Sequence, residues 1–270
     1  MLKTLQTAAD HLKGKIKQQP DIGIILGTGL NSVADLIEDP TIVDYQDVPQ
    51  MPSSTAPSHK GRFVFGELSG KQVVIMQGRL HYYEGYSMQQ ITFPIRLLKL
   101  LGIETLIITN AAGSLNEDLQ PGDLVVIDDH INFTGDNPLI GKNLADFGER
   151  FPSFNQPYSK RLRDLCDEIA REKGFQLKHG VYTGLAGPSL ETRAECKMLQ
   201  KLGSDLVGMS TVPEVIVAVH SGMEVLGIST VTNLSNIFHS KPHSQEEIWK
   251  YAEQARVKLE YLINNIIEKI

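Results

Sequence analysis

Short runs of buried-type aliphatics recur along this chain, alternate with helical patterns, and tend to end in small or polar residues. That alternation restricts the chain to an α/β architecture with a largely buried sheet. Residues 24–32 (IILGTGLNS) are the first instance. Ile24, Ile25 and Leu26 suit a central strand, and Gly27 and Gly29 allow a turn that exposes backbone N–H groups to an anion. No Gly-Lys-Ser/Thr follows, so this is not a nucleotide P-loop. Ser32 stands where a dinucleotide fingerprint needs its third glycine.

The pattern predicts helices over 3–18, 29–37, 88–101, 158–173, 191–202, 212–221 and 245–268. Pro94 should bend the third of these or mark its first turn. Strands are predicted over 22–27, 62–68, 71–76, 103–109, 123–127, 178–184, 205–208 and 224–231, with Ser69-Gly70 joining a hairpin. Residues 132–158 read as a long irregular segment, of a kind that often carries function. No linker-like stretch divides the 270 residues, so the reading is one domain over 1–270 with a central mixed sheet flanked by helices.

A net charge of −6 without a Lys/Arg run argues against nucleic acid as a partner. The N-terminus lacks a signal-like apolar stretch, and the most apolar region, 206–232, is broken by Pro213, Glu214, His220 and Glu224. No membrane span and a cytoplasmic location are expected. Cys166 and Cys196 lack metal-ligand spacing and read as reduced thiols.

In α/β folds ligands gather at the carboxyl ends of strands. Six predicted strand ends carry small or polar residues: 27–29, 77–85, 110–114, 186–191, 208–211 and 232–233. Arg79 and His81, two residues apart, would share one side of an extended segment, and Arg offers a fork suited to oxyanions. Thr28 and Ser210 add hydroxyls, and the backbone N–H near Ala111 adds a donor. Together they suggest an oxyanion site without a metal. Glu191 and Asn233 could read the edge of a heterocycle, as carboxylate acceptor and two-way amide. Phe151 and Leu190 could pack on a flat ring. Each residue alone has a plainer reading as core, cap or turn.

The motifs GTGL, GRLHYYEGY, TNAAGSL, ERFP, AGPSLETRAE, VGMSTVPEVIVA and TVTN, in this order, resemble the homotrimeric class of purine nucleoside phosphorylases. The resemblance implies a single-domain phosphorylase fold without a cofactor, with inorganic phosphate as co-substrate and 6-oxopurine nucleosides as substrates. It implies Thr28, Arg79, His81, Ala111 and Ser210 for phosphate, and Tyr83, Met209 and His243 for ribose. It implies Glu191, Asn233, Leu190, Val207, Gly208 and Phe151 for the purine, with Phe151 reaching into a neighbouring subunit's site. Asn233, His81 and Glu84 are the candidate catalytic residues. The chain departs from the family twice. Leu190 stands where many members have Phe, and Gln245 precedes Glu246-Glu247 where mammalian-type members have His. The 5′-hydroxyl contact is assigned to His243, with Gln245 as the other candidate. Residues 53–61 are a candidate lid over phosphate. Competing readings are a methylthioadenosine phosphorylase-like enzyme, which would place Asp at position 233, and a non-catalytic nucleoside-binding protein. A third is a nucleoside hydrolase, whose acids could come only from the Asp128-Asp129 region.

Overall fold

The computed structural model describes residues 2–28, 31–56 and 59–270. Among them nine strands form one mixed sheet: β1 (Ile22–Ile25), β2 (Glu38–Asp44), β3 (Arg62–Leu68), β4 (Lys71–Gln77), β5 (Thr105–Ser114), β6 (Leu124–Asn132), β7 (Lys178–Gly184), β8 (Leu206–Gly208) and β9 (Glu224–Leu234). Their order is β2-β3-β4-β1-β5-β8-β7-β6-β9, and β9 also pairs with β5. Strands β5 to β9 therefore close on themselves, with the other four as a wing.

The helices are α1 (Leu2–Lys13), α2 (Met88–Ile91), α3 (Phe93–Leu100), α4 (Lys160–Glu172), α5 (Arg193–Lys201), α6 (Val212–His220) and α7 (Gln245–Lys269). Alternation along the strands puts helices on both faces. Ile25, Val74, Leu106 and Val225 pack with residues of α1, α3 and α6. Their neighbours Ile24, Ile75, Ile107 and Leu226 pack with α4 and α7. Among the described residues no helix is long and apolar enough to cross a membrane. Cys166 and Cys196 are both free and buried, and burial pushes the Cys166 thiol up to about 12.

The architecture follows the sequence pattern, although α1 stops at Lys13 and β6 runs on to Asn132, and four other local differences stand out. The expected helix over 29–37 is a 3-10 turn at Asn31–Leu36, while Gly29 and Leu30 lie outside the described residues. Strand β2 has no predicted counterpart: only Val43 is buried in it and Pro40 interrupts it, as befits a sheet edge. The expected helix over 88–101 breaks at Thr92, and Pro94 sits in the first turn of α3. Ser69 and Gly70 make the expected hairpin turn with φ of 51° and 77°.

The fourth difference positions the cavity described next. Strand β5 does not stop at Thr109 but runs through Asn110–Ser114, paired with β9 along its whole length and with β8 at Gly113 and Ser114. The β5–β9 register slips between Ala112 and Gly113, so that Asn233 falls opposite Gly113. A bulge of this kind re-aims a side chain. At the same level β1 ends against β5 so closely that a Cβ on Gly27 would lie 2.7 Å from the Asn110 Cα.

Candidate active site

The strand ends converge on a cavity of about 520 Å³. Thr28, Arg79, His81, Tyr83 and Ala111 line it from β1, β4 and β5. Leu190, Glu191, Val207, Gly208, Met209, Ser210 and Asn233 line it from the other half of the sheet. Twelve of the residues singled out in the sequence thus share one space.

Arg79 is 1% exposed. A buried guanidinium needs partners, and two segments, β5 and the start of α6, supply them. Nη1 donates to Thr211 Oγ1 at 3.2 Å and pairs with Glu214 Oε2 at 3.3 Å, while Nη2 donates to the Thr109 carbonyl. Nε is buried with no partner. The pair with Glu214 holds the side chain in place and leaves donor capacity for a ligand.

Thr211 is the hub of this arrangement. It adopts φ 69°, ψ −56°, unusual for a β-branched residue. Its N–H is held by Glu214 Oε2 at 3.0 Å. Its Oγ1 accepts from Arg79 and, at 2.9 Å, from Asn110 Nδ2. With both lone pairs engaged, its own hydrogen is left for Ser210 Oγ at 3.2 Å. The Ser210 hydroxyl is then free to donate into the cavity. Thr109 makes a parallel link: its Oγ1 accepts from Gly27 N–H and donates to the Ile25 carbonyl, both at 3.0 Å, fixing the backbone that leads to Thr28.

His81 is set by Glu84, whose Oε1 takes the His81 backbone N–H at 2.7 Å and Nδ1 at 3.0 Å. Burial would raise the Glu84 pKa, but these bonds and two from Thr55, both 2.6 Å, hold it down to about 2. An ionised carboxylate only accepts, so His81 Nδ1 carries its hydrogen and Nε2 is the unengaged nitrogen. Glu84 does not line the cavity. It reaches the cavity through His81, whose ring it orients, and it also holds Thr55 in the 53–56 segment.

That segment brings in a residue the sequence reading missed. His59 lines the cavity, and its ring meets that of His81 edge-on at 5.0 Å. Burial first, and then the neighbouring His81 and Arg79, lower its pKa to about 3, so it is neutral at neutral pH. Its Nδ1 accepts the Arg79 backbone N–H at 2.6 Å, so the hydrogen sits on Nε2, a neutral donor. Within the candidate lid over 53–61, Pro57 and Ser58 lie outside the described residues. Tyr83 stacks on the other side of His81 at 4.7 Å.

At the opposite end, Asn233 Oδ1 accepts from Thr232 Oγ1 at 3.2 Å, whereas Nδ2 has only long contacts, 3.4 Å to the Leu234 carbonyl and 3.5 Å to His243 Nδ1. The amide therefore offers its N–H to a ligand. Gly113 leaves room for it, since a Cβ there would lie 3.1 Å from Nδ2. Burial raises the pKa of Glu191, which faces the same end. A ligand N–H would offset that desolvation.

The start of α7 separates two further candidates. His243 does not line the cavity; Gln245, Ile248 and Trp249 from the first turns of α7 do. Of the two candidates for the 5′-hydroxyl contact, Gln245 is the one that lines the cavity, while His243 lies beside Asn233. Phe151 is 85% exposed and outside the cavity of its own chain. Asp128 is also remote: it pairs with Arg163 and, at 2.9 Å, with His179. Among the described residues no cluster of three or more His, Cys, Asp or Glu is placed to hold a metal ion.

Known proteins resemble this chain over nearly its whole length. Residues 21–268 match the model of the phosphorylase superfamily. Purine nucleoside phosphorylase 1 of Bacillus subtilis is 48% identical over 267 residues, which cover 99% of this chain and 98% of the relative. The Schistosoma mansoni purine nucleoside phosphorylase crystallised with adenosine superposes with a TM-score of 0.95 at 40% identity, covering 100% of this chain and 98% of that one. The same enzyme's complex with inosine gives 0.94 at 40%, covering 100% and 97%.

Replacing Thr211 by Val keeps the shape but removes the acceptor shared by Arg79 and Asn110. Leaving buried donors unpaired should cost about 1–3 kcal/mol in urea unfolding. An unchanged midpoint would contradict the hub role.

Proposed function

This chain belongs to the purine nucleoside phosphorylases of the phosphorylase superfamily, and from that premise we propose how its cavity splits a purine nucleoside with phosphate. The reaction is reversible phosphorolysis of inosine, guanosine and their 2′-deoxy forms to free base and (deoxy)ribose 1-phosphate. The observation that carries this reading is the anchored Arg79 at one end of a cavity whose other end holds Glu191 and Asn233.

Phosphate sits among Thr28, the Arg79 guanidinium, the Ala111 N–H, the Ser210 hydroxyl and Nε2 of His59 and His81. His59 donates there without adding charge. Ribose lies between Tyr83 and Met209, with Gln245 at its 5′ end. As the N9–C1′ bond breaks, its electron pair passes into the purine and the sugar becomes cationic. Phosphate below the ring stabilises that charge, and one of its oxygens then bonds to C1′. Asn233 Nδ2 donates to O6 and N7 as they gain electron density, and the departing base takes up a proton from solvent. Donors fixed in advance toward developing charge typically contribute ~3–4 kcal/mol each. No enzyme-bound covalent intermediate is required, and no cofactor enters the scheme.

Base choice rests on both ends of the purine. A 6-oxopurine has N1–H, which suits the Glu191 carboxylate, and O6, which suits the Asn233 N–H. Adenine reverses both, with an acceptor at N1 and a 6-amino donor. Inosine should exceed adenosine in kcat/KM. Asn233→Asp should lower the inosine value about 100-fold or more and move preference toward adenosine. Equal turnover of the two bases by the native enzyme would refute this assignment.

The assembly is a homotrimer in which Phe151 of one protomer closes the cavity of the next. Its near-complete exposure in the single chain supports this. Phe151→Ala should raise the nucleoside KM roughly tenfold while sedimentation still gives the mass of three protomers. An unaltered KM would remove Phe151 from the site.

A further inference from the structure

A second cavity, of about 590 Å³, opens between α1, α2, α3 and residues 138–146. It shares no lining residue with the catalytic cavity. Its wall belongs to the long irregular segment for which the phosphorolysis scheme has no use beyond Phe151. That wall is built rather than loose. Arg150 Nη1 donates to the carbonyls of Leu139 and Gly141 at 3.1 and 2.9 Å. Gln89 Nε2 donates to the Ile140 carbonyl at 3.2 Å, and Asn143 Nδ2 to that of Gly148 at 3.0 Å.

Arg96 of α3 lines this space and is 6% exposed. Its guanidinium lies over the Phe147 ring at 4.9 Å, which covers one face only. Nη1 is buried and has no hydrogen-bond partner, and among the described residues no carboxylate pairs with Arg96. The contrast with Arg79, which has Glu214, is direct. Burial lowers the Arg96 pKa to about 10, so the charge persists at neutral pH. A buried cation without a counter-charge is costly unless something supplies one. Lys142 and Asp146 are the other charged residues lining the cavity, so the local charge is positive. Burial and the Arg96 charge both lower the pKa of nearby His220.

We propose that this cavity is a second anion site, in which Arg96 and Lys142 hold the carboxylate or phosphate group of a small-molecule ligand. The apolar side chains of Leu2, Leu139, Ile140 and Leu144 line it against the rest of the ligand. Arg supplies a planar fork for two oxygens, and the site is separate from the one that holds the co-substrate. The inference does not depend on the phosphorylase reading.

The test compares thermal unfolding of the assembled wild-type protein and Arg96→Met across a sodium sulfate series at constant ionic strength. Sulfate also fills the catalytic anion site, equally in both, so only the difference reports on Arg96. Wild type should gain about 5 °C more than the variant at a sulfate concentration a hundredfold above its dissociation constant. Equal gains would overturn the proposal. So would equal gains together with a lighter assembly of Arg96→Met in sedimentation, which would make a second copy of the chain the source of the anion. If Arg96→Met does not fold, wild-type crystals soaked in selenate decide. Anomalous density at Arg96, with the catalytic site as internal control, supports the site; density at the catalytic site alone overturns it.

Discussion

Everything at the Arg79 end of the cavity depends on one buried ion pair, Arg79 with Glu214. Their side chains are 2% and 5% exposed, far from the solvent that would otherwise solvate them. Taken alone, such a pair is weak as a stabilising device, because desolvation offsets the attraction. Its value lies in what it fixes. Arg79 leaves β4, Thr109 lies in β5, and Glu214 and Thr211 begin α6. The guanidinium bonds to the other two segments and so ties the end of its own strand to both.

The same economy governs the charges around it. Arg79 is balanced by Glu214 and His81 is held by Glu84, so two cationic or potentially cationic groups each have a carboxylate away from the ligand. His59 is kept neutral. The site can therefore offer many donors to an anion without assembling unbalanced positive charge. Glu84 links this electrostatics to the chain segment around Thr55, so the orientation of His81 and the position of His59 are set together. At the end held by Asn233 and Glu191 the groups are softer: a neutral amide freed by a bulge, and a carboxylate made costly by burial.

Much of this was legible in the sequence because strands and their ends carry strong local signals. Aliphatic runs such as residues 24–26 and 106–108 mark buried strands, and small residues after them mark where a ligand approaches. What escaped has identifiable causes. Edge strand β2 buries only Val43, so it has no apolar period to read. Asn110–Ser114 reads as a strand end because it lacks bulky side chains, yet it continues β5, pairing with residues 229–234 of β9 across a bulge. His59 sits in a polar loop with no periodicity, and only the fold carries it to Arg79. Glu214 looked like a break in an apolar stretch, and its partner is 135 residues earlier, a long-range pairing no local pattern encodes. His243 and Gln245 differ by two positions, and the start of α7 decides which one meets the cavity.

The most direct measurement of the central claim follows inosine cleavage with and without inorganic phosphate, assaying hypoxanthine and ribose 1-phosphate together. The account predicts cleavage only when phosphate is present, with one ribose 1-phosphate formed for each base released. Base release without phosphate, yielding free ribose, would contradict it.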